Sequence, residues 1–266
     1  MSLTDAVGLI PDSGATLAFG GVTLYRRPAA FALAMVRRHA LVHAPREITL
    51  LNFTAGVESD VLVGAGLVRR VRTCYFGLEV FGLAPHFTEA VGRGEVEVIE
   101  ESEASLALGL RAHMGGVGFL PSPAWTGTDM FRLRPDVRTV VDPYSGEVLT
   151  AFPALSADVA VLHALESDPA GNAVLGAHLG LDRELALVAE KVIVTAERIV
   201  PRLERADVIA PVVDAVVEAP GGAWPTSCHP VYPLDGLALL EYTERAGKDT
   251  YPDLLATWMA RHGLSV

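Results

Sequence analysis

Ala15-Thr16-Leu17-Ala18-Phe19 is followed by Gly20-Gly21-Val22-Thr23-Leu24-Tyr25-Arg26-Arg27, and then by a helical run from Pro28 to His43. The first segment is short, apolar and β-prone. The last has helical length and carries proline at the tolerated first turn. Together they make a strand, a glycine loop and a helix, and the chain repeats this unit. Glu47–Phe53 reads as a strand and Val57–Leu67 as a helix. Val71–Phe76 is a strand, Pro85–Gly92 a helix, Glu95–Glu100 a strand, and Glu103–Met114 a helix closed by Gly115-Gly116. Strands alternating with helices at this spacing predict an α/β fold, a single open, mostly parallel sheet flanked by helices.

The later half is less regular. Thr139–Asp142 and Leu149–Phe152 read as short strands around a turn at Pro143-Tyr144-Ser145-Gly146. Val159–Leu165 is the near-continuous apolar run of a strand covered on both faces. Lys191–Ala196 and Val208–Val217 hold two or three more strands. Asp235–Arg245 and Tyr251–His262 read as C-terminal helices. No Ser- or Gly-rich linker divides the chain, so residues 1–266 are expected to form one domain.

Half of the 266 residues are hydrophobic and a fifth are charged, which excludes disorder. Two cysteines, Cys74 and Cys228, cannot staple such a chain, and neither they nor the eight histidines show metal-ligand spacing, so no metal site is expected. A net charge of −11 disfavours nucleic acid. The charge-free stretch Ala112–Thr128 contains four glycines and two prolines and is no membrane span. The N-terminus has no signal-peptide pattern, so cytoplasm is the expected compartment.

In open parallel sheets ligands bind outside the carboxyl ends of the strands. Four junctions therefore matter. Gly20-Gly21-Val22 offers backbone N–H groups to an oxyanion, or serves only as a tight turn. Arg26 and Arg27 beside it are candidates for an anionic substrate group, a carboxylate or, on the resemblance given below, a phosphate, or form a solvated helix start. Thr54 and Glu79, after the second and third strands, are candidate substrate contacts; an ordinary strand end and a solvated carboxylate explain them equally. Glu100, Glu101 and Glu103 crowd the fourth junction; Glu101 and Glu103 are candidate catalytic carboxylates, while Ser102 and Glu103 also suit a helix start. There is no GxGxxG, GK[ST] or GxSxG motif, which counts against nucleotide binding and a serine hydrolase.

Five segments carry a resemblance when taken in order: Gly20 to Pro28; Phe119-Leu120-Pro121-Ser122 through Gly127-Thr128-Asp129; Asp158-Val159-Ala160 with Asp168 to Ala173; Ala189 to Thr195; and Pro225-Thr226-Ser227-Cys228. They resemble the A (α) subunits of family I CoA-transferases, of the glutaconate CoA-transferase kind. The resemblance implies one chain of a CoA-transferase for a short-chain or dicarboxylic acid, in a hetero-oligomer with a B (β) subunit. It implies acyl-CoA as substrate, no permanently bound cofactor, and no nucleic-acid or membrane partner. The family's nucleophilic glutamate belongs to the B subunit, and the corresponding bend here, Phe53-Thr54-Ala55-Gly56, has none. Val22 stands where the family has phenylalanine. A branch of the same family hydrolyses steroid-derived acyl-CoA rings with a glutamate of the A-type chain, and the acidic triplet keeps that alternative open. A non-catalytic acyl-CoA-binding subunit is the third reading.

Overall fold

The computed structural model describes residues 1–264; Ser265 and Val266, the end of the span read above as one domain, lie outside the described residues. In chain order the elements are α1 (Leu3–Val7), β1 (Thr16–Phe19), α2 (Ala29–Val42), β2 (Ile48–Asn52), α3 (Val57–Gly64), β3 (Val68–Thr73), α4 (Pro85–Gly92), β4 (Glu97–Glu100) and α5 (Glu103–Met114). There follow β5 (Phe119–Ser122), α6 (Met130–Leu133), β6 (Arg138–Val141), β7 (Val148–Pro153), β8 (Ala157–Ser167), β9 (Ala173–Val174), α7 (Asp182–Val188), β10 (Ala189–Ile199), β11 (Ala215–Glu218), α8 (Gly236–Arg245) and α9 (Tyr251–Arg261).

The open, mostly parallel sheet is present. Its strands run β11-β10-β8-β1-β2-β3-β4, all parallel, with β9 antiparallel against β8. Helices cover both faces. On one, Phe31, Leu33 and Met35 of α2 pack with Val61 of α3 and Leu239, Tyr242 and Trp258 of α8 and α9. On the other, Leu106 and Leu110 of α5 pack with Leu185 and Val188 of α7. The apolar run through β8 is buried because both layers meet it: Val159 and Val161 face one core, Ala160 and Leu162 the other.

The short α1 was not expected; the four predicted helices of the leading half, α2 to α5, start and stop close to their sequence signals, α3 ending three residues early at Gly64. Ser102 caps α5 through the Ser105 N–H, and Gly116 takes φ +65° just beyond its end. Strand β3 begins three residues earlier than the apolar pattern predicts. It carries Arg69, Arg70 and Arg72 because it lies next to the edge, where Arg70 pairs across to Glu97. It ends at Thr73, whose hydroxyl donates to the Tyr75 carbonyl and draws the chain off the sheet. Of the Val208–Val217 segment only its C-terminal part joins the ladder, as β11; Pro211 sits in a one-turn 3-10 helix before it.

A second sheet was not expected. β5, β7 and β6 form an antiparallel sheet of three strands, with Trp125, Val137 and Phe152 in a small core of its own. The hairpin around Asp142 and Gly146 is the predicted one. β5 escaped the sequence reading because Pro121 interrupts its donor pattern, which only an edge strand tolerates.

Candidate functional site

β1 is where chain order reverses across the sheet: β2 to β4 lie to one side and β8, β10 and β11 to the other. The crevice at its carboxyl end is therefore the natural ligand position. Four loops line this rim: residues 20–25, 53–56, 74–79 and 100–103.

The first loop is built by buried polar groups that link it to the rest of the fold. Gly20 N–H donates to the Val161 carbonyl (2.9 Å), Gly21 N–H to Asp182 Oδ1 (2.9 Å), Val22 N–H to the Tyr25 carbonyl (3.0 Å), and Thr23 N–H to Thr54 Oγ1 (2.8 Å). Every amide from 20 to 23 is thus spent within the chain. The expectation that Gly20, Gly21 and Val22 present donors to an oxyanion is corrected by this geometry: the glycines are required for close packing. A Cβ on Gly20 would stand 2.5 Å from Leu162 and 2.8 Å from Asp182, and Gly21 has φ +87° with the Tyr25 carbonyl 2.5 Å from any Cβ.

Arg26 and Arg27 are also corrected. Both are completely buried. Arg26 donates to the carbonyls of His163 (2.8 Å) and His178 (2.7 Å) and to Asp182 (2.8 Å). Burial pushes the Asp182 carboxyl up, and the Arg26 guanidinium pulls against that. Arg27 donates to the Gly21 carbonyl (2.9 Å) and to Glu58 (2.5 Å). Ser59 also donates to Glu58 (2.6 Å) and accepts from Asn52, whose Oδ1 receives the Phe19 N–H. Neither guanidinium reaches solvent; each is held by buried partners of this chain rather than facing a ligand. Their partners Asp182 and Glu58 were missed because each reads, in sequence, as an ordinary acid in a first helical turn.

Thr54 is buried, and its hydroxyl holds the first loop against the second, so it is a positioning group and not a substrate contact. The apolar side chains at this part of the rim, Val22 and Phe53, are half-buried. Gly180, at φ +54°, lets Val22 and Phe53 close over it: a Cβ there would stand 2.8 Å from Val22 Cγ2 and 3.3 Å from the Phe53 ring.

The acidic junction separates into distinct roles. Glu101 is buried, and its two oxygens are taken: Oε1 by Arg134 (2.5 Å) and Arg72 (3.2 Å), Oε2 by the Ser105 hydroxyl (2.5 Å). Arg134 also donates to the Glu100 carbonyl and pairs with Asp136, and Trp125 Nε1 donates to Ser102. Glu101 is thus the tether between the main sheet and the three-stranded one, which corrects its reading as a catalytic carboxylate. Glu100 and Glu103 are exposed. Glu103 lies near Cys74, whose thiol donates to the Phe53 carbonyl (2.8 Å). Burial, with Glu103 adding to it, pushes that thiol up to about 11. Glu79 is exposed, in the left-handed region at φ +55°, with its N–H donating to the Tyr75 hydroxyl. The rim therefore brings Val22, Phe53, Cys74, Tyr75, Glu79 and Glu103 to one side of the sheet.

A second polar cluster lies at the carboxyl end of β8 and β10. Glu197 accepts from Tyr232 (2.5 Å) and the Gly221 N–H (2.7 Å) and bonds His163 Nε2 (2.7 Å); His163 Nδ1 faces the Thr195 hydroxyl (2.8 Å). Ligand atoms of His163, Glu197 and Cys228 lie within 4.8 Å of one another. Burial works against the Glu197 carboxylate, but His163 and Tyr232 outweigh it and hold its pKa below the ordinary value. The residues are 34 and 31 positions apart, so no local spacing announces them. Among the described residues no helix is long and apolar enough to cross a membrane.

Residues 1–219 match the family model described as Coenzyme A transferase. An uncharacterized protein of Archaeoglobus fulgidus is 34% identical over 94% of this chain, which spans only 58% of that relative's length. The A subunit of the 3-oxoadipate CoA-transferase of Pseudomonas knackmussii is 31% identical, over 88% of this chain and 84% of its own. The cholesterol ring-cleaving hydrolase IpdA subunit of Rhodococcus jostii is 32% identical, over 98% and 91%. Among solved structures, a variant of the decarboxylase AibA/AibB superposes with a TM-score of 0.90 at 32% identity, covering 98% of both chains. With the glycine loop, the parallel sheet and the bend after β2 in the order the resemblance requires, the chain belongs to the coenzyme A transferase family, as a chain of its A-subunit type.

Proposed function

We propose that this chain is one half of a two-chain enzyme that moves CoA between an acyl-CoA and a carboxylic acid, the reacting carboxylate coming from a B-type partner. The observation that carries this reading is the bend after β2. Thr54 is the polar side chain there and is buried against Thr23, while nearby Glu58 is 1% exposed and locked to Arg27. Neither reaches a thioester.

In the proposed reaction the partner's carboxylate oxygen attacks the thioester carbonyl, the C–S bond breaks, and CoA leaves as thiolate, giving a mixed anhydride. The thiolate then attacks the partner's own carbonyl; the C–O bond breaks, the first acid leaves as carboxylate, and CoA is held as an enzyme thioester. A second carboxylate runs both steps in reverse. This chain contributes the apolar wall of Val22 and Phe53, which excludes water from the intermediates.

Intact-mass measurement of the two-chain complex after exposure to acyl-CoA tests this. A CoA adduct on the partner is expected. An adduct on this chain, or transfer by this chain alone, would overturn it.

The hydrolase alternative has one observation in its favour. Glu103 is the exposed acid that acts most strongly on Cys74 at the rim, and an IpdA subunit is among the relatives. Under that reading Glu103→Gln abolishes thioester-dependent hydrolysis without loss of stability; undiminished hydrolysis would remove it.

A further inference from the structure

The loop that follows β3 carries a feature the proposed chemistry does not use. Glu79 and Gly82 both take positive φ, +55° and +104°, and the turn between them turns Val80 outward at 91% exposure, with Leu83, just past the turn, at 72%. Phe81, between them, points the other way and packs on Gly236, where a Cβ would lie 3.3 Å from the ring. Gly236 opens α8, whose Leu237 is 81% exposed and Leu240 45%. Val80, Leu83, Leu237 and Leu240 thus belong to two segments that meet at the Phe81–Gly236 contact.

Burying a large aliphatic side chain is favourable and exposing several together is not, so such a group on a rim marks an association surface. We propose that the 79–83 loop with the start of α8 is the surface on which the B-type partner docks. The inference rests on the two-chain reading above, which demands that the partner bring its carboxylate to the crevice beside Val22 and Phe53. Residues 74–77 run alongside that bend, with Gly77 N–H donating to the Ala55 carbonyl, and the loop follows directly. A partner seated on Val80 and Leu83 therefore touches the same segment that borders the crevice. The exposed apolar side chains Val141 and Val148 belong to the separate three-stranded sheet, which the Glu101–Arg134 pair ties to the main one.

The test uses this chain and its B-type subunit, purified separately and titrated by calorimetry. Val80→Glu with Leu83→Glu is expected to weaken association at least 100-fold. The unfolding midpoint of the isolated variant stays unchanged, since both side chains lie in solvent. At saturating partner the KM for acyl-CoA returns to the parent value. Val141→Glu with Val148→Glu is expected to leave association unaltered. The proposal is overturned if the first pair associates normally, if the second pair abolishes association, if the first pair raises KM at saturating partner, or if it only dissolves a homodimer of this chain. Transfer activity in the isolated parent chain would instead refute the two-chain reading itself.

Discussion

The buried Arg26–Asp182 pair gives the sharpest test of the rim as described. Asp182→Asn is nearly isosteric. Its Oδ1 still accepts the Gly21 N–H at 2.9 Å, but an amide NH2 replaces the oxygen that Arg26 Nη2 meets at 2.8 Å. Donor then faces donor, and the guanidinium, wholly buried, loses its counter-charge. Breaking one partner of a buried pair costs about 3–5 kcal/mol. Arg26 keeps two carbonyl acceptors, so we expect the lower half of that range, roughly 3–4 kcal/mol. For a chain of this size that corresponds to a fall in Tm on the order of 10 °C. The assay is urea unfolding of parent, Asp182→Asn, Arg26→Met and the double variant. The double variant should be less destabilised than the sum of the two single ones by more than about 1 kcal/mol, because no uncompensated charge remains. If Asp182→Asn loses less than about 1 kcal/mol, Arg26 is not a structural ion and its release toward a substrate anion would again be a reasonable role.

Gly20→Ala forces a Cβ to within 2.5 Å of Leu162, and overpacking of this kind should cost about 1–3 kcal/mol by the same assay. Glu101→Gln removes the charge that holds Arg134 and Arg72; limited proteolysis should then cut within residues 119–153 while the parent resists, and an unchanged digest would show that the tether lies elsewhere. Burial raises the Asp60 carboxyl from 3.8 to about 6, although Tyr242 and the Phe87 N–H both donate to it. The folded chain therefore holds that proton more tightly than the unfolded one, and the contribution, on the order of 3 kcal/mol, is present below pH 4 and lost as pH rises through 6. In an Asp60→Asn variant the stability difference from the parent should change with that sign across pH 4 to 6; a pH-independent difference would contradict it. Glu103→Gln, on an exposed side chain, should shift stability by less than about 0.5 kcal/mol.

From β1 to α5 the strand and helix order was legible because each element announces itself locally; the one-turn α1 was not read. Apolar runs with β-branched residues, helix-starting Ser102 and Pro85, and closing glycines are all near-neighbour signals. The three-stranded sheet was not legible as a sheet: two of its strands were readable, but nothing local says that β5, some thirty residues away, pairs with β7. At the site, the acidic triplet and the glycine pair were found, while their roles were not. The same glutamate type is a tether at Glu101 and a free carboxylate at Glu103, two residues along.

The sequence by itself determined the alternation of strand and helix, the family, and the absence of a glutamate at the bend after β2, since all three are carried by residue identity and order. Only the tertiary structure decided that Arg26 and Arg27 are buried ions, that the amides of Gly20 to Thr23 are already spent, and that Glu101 is bound to Arg134. The physical reason is that, the local Val22–Tyr25 turn aside, each of these depends on a partner from 31 to 161 positions away. Whether a charge faces water or a counter-ion is set by what the fold brings against it, and the chain order around it does not specify that.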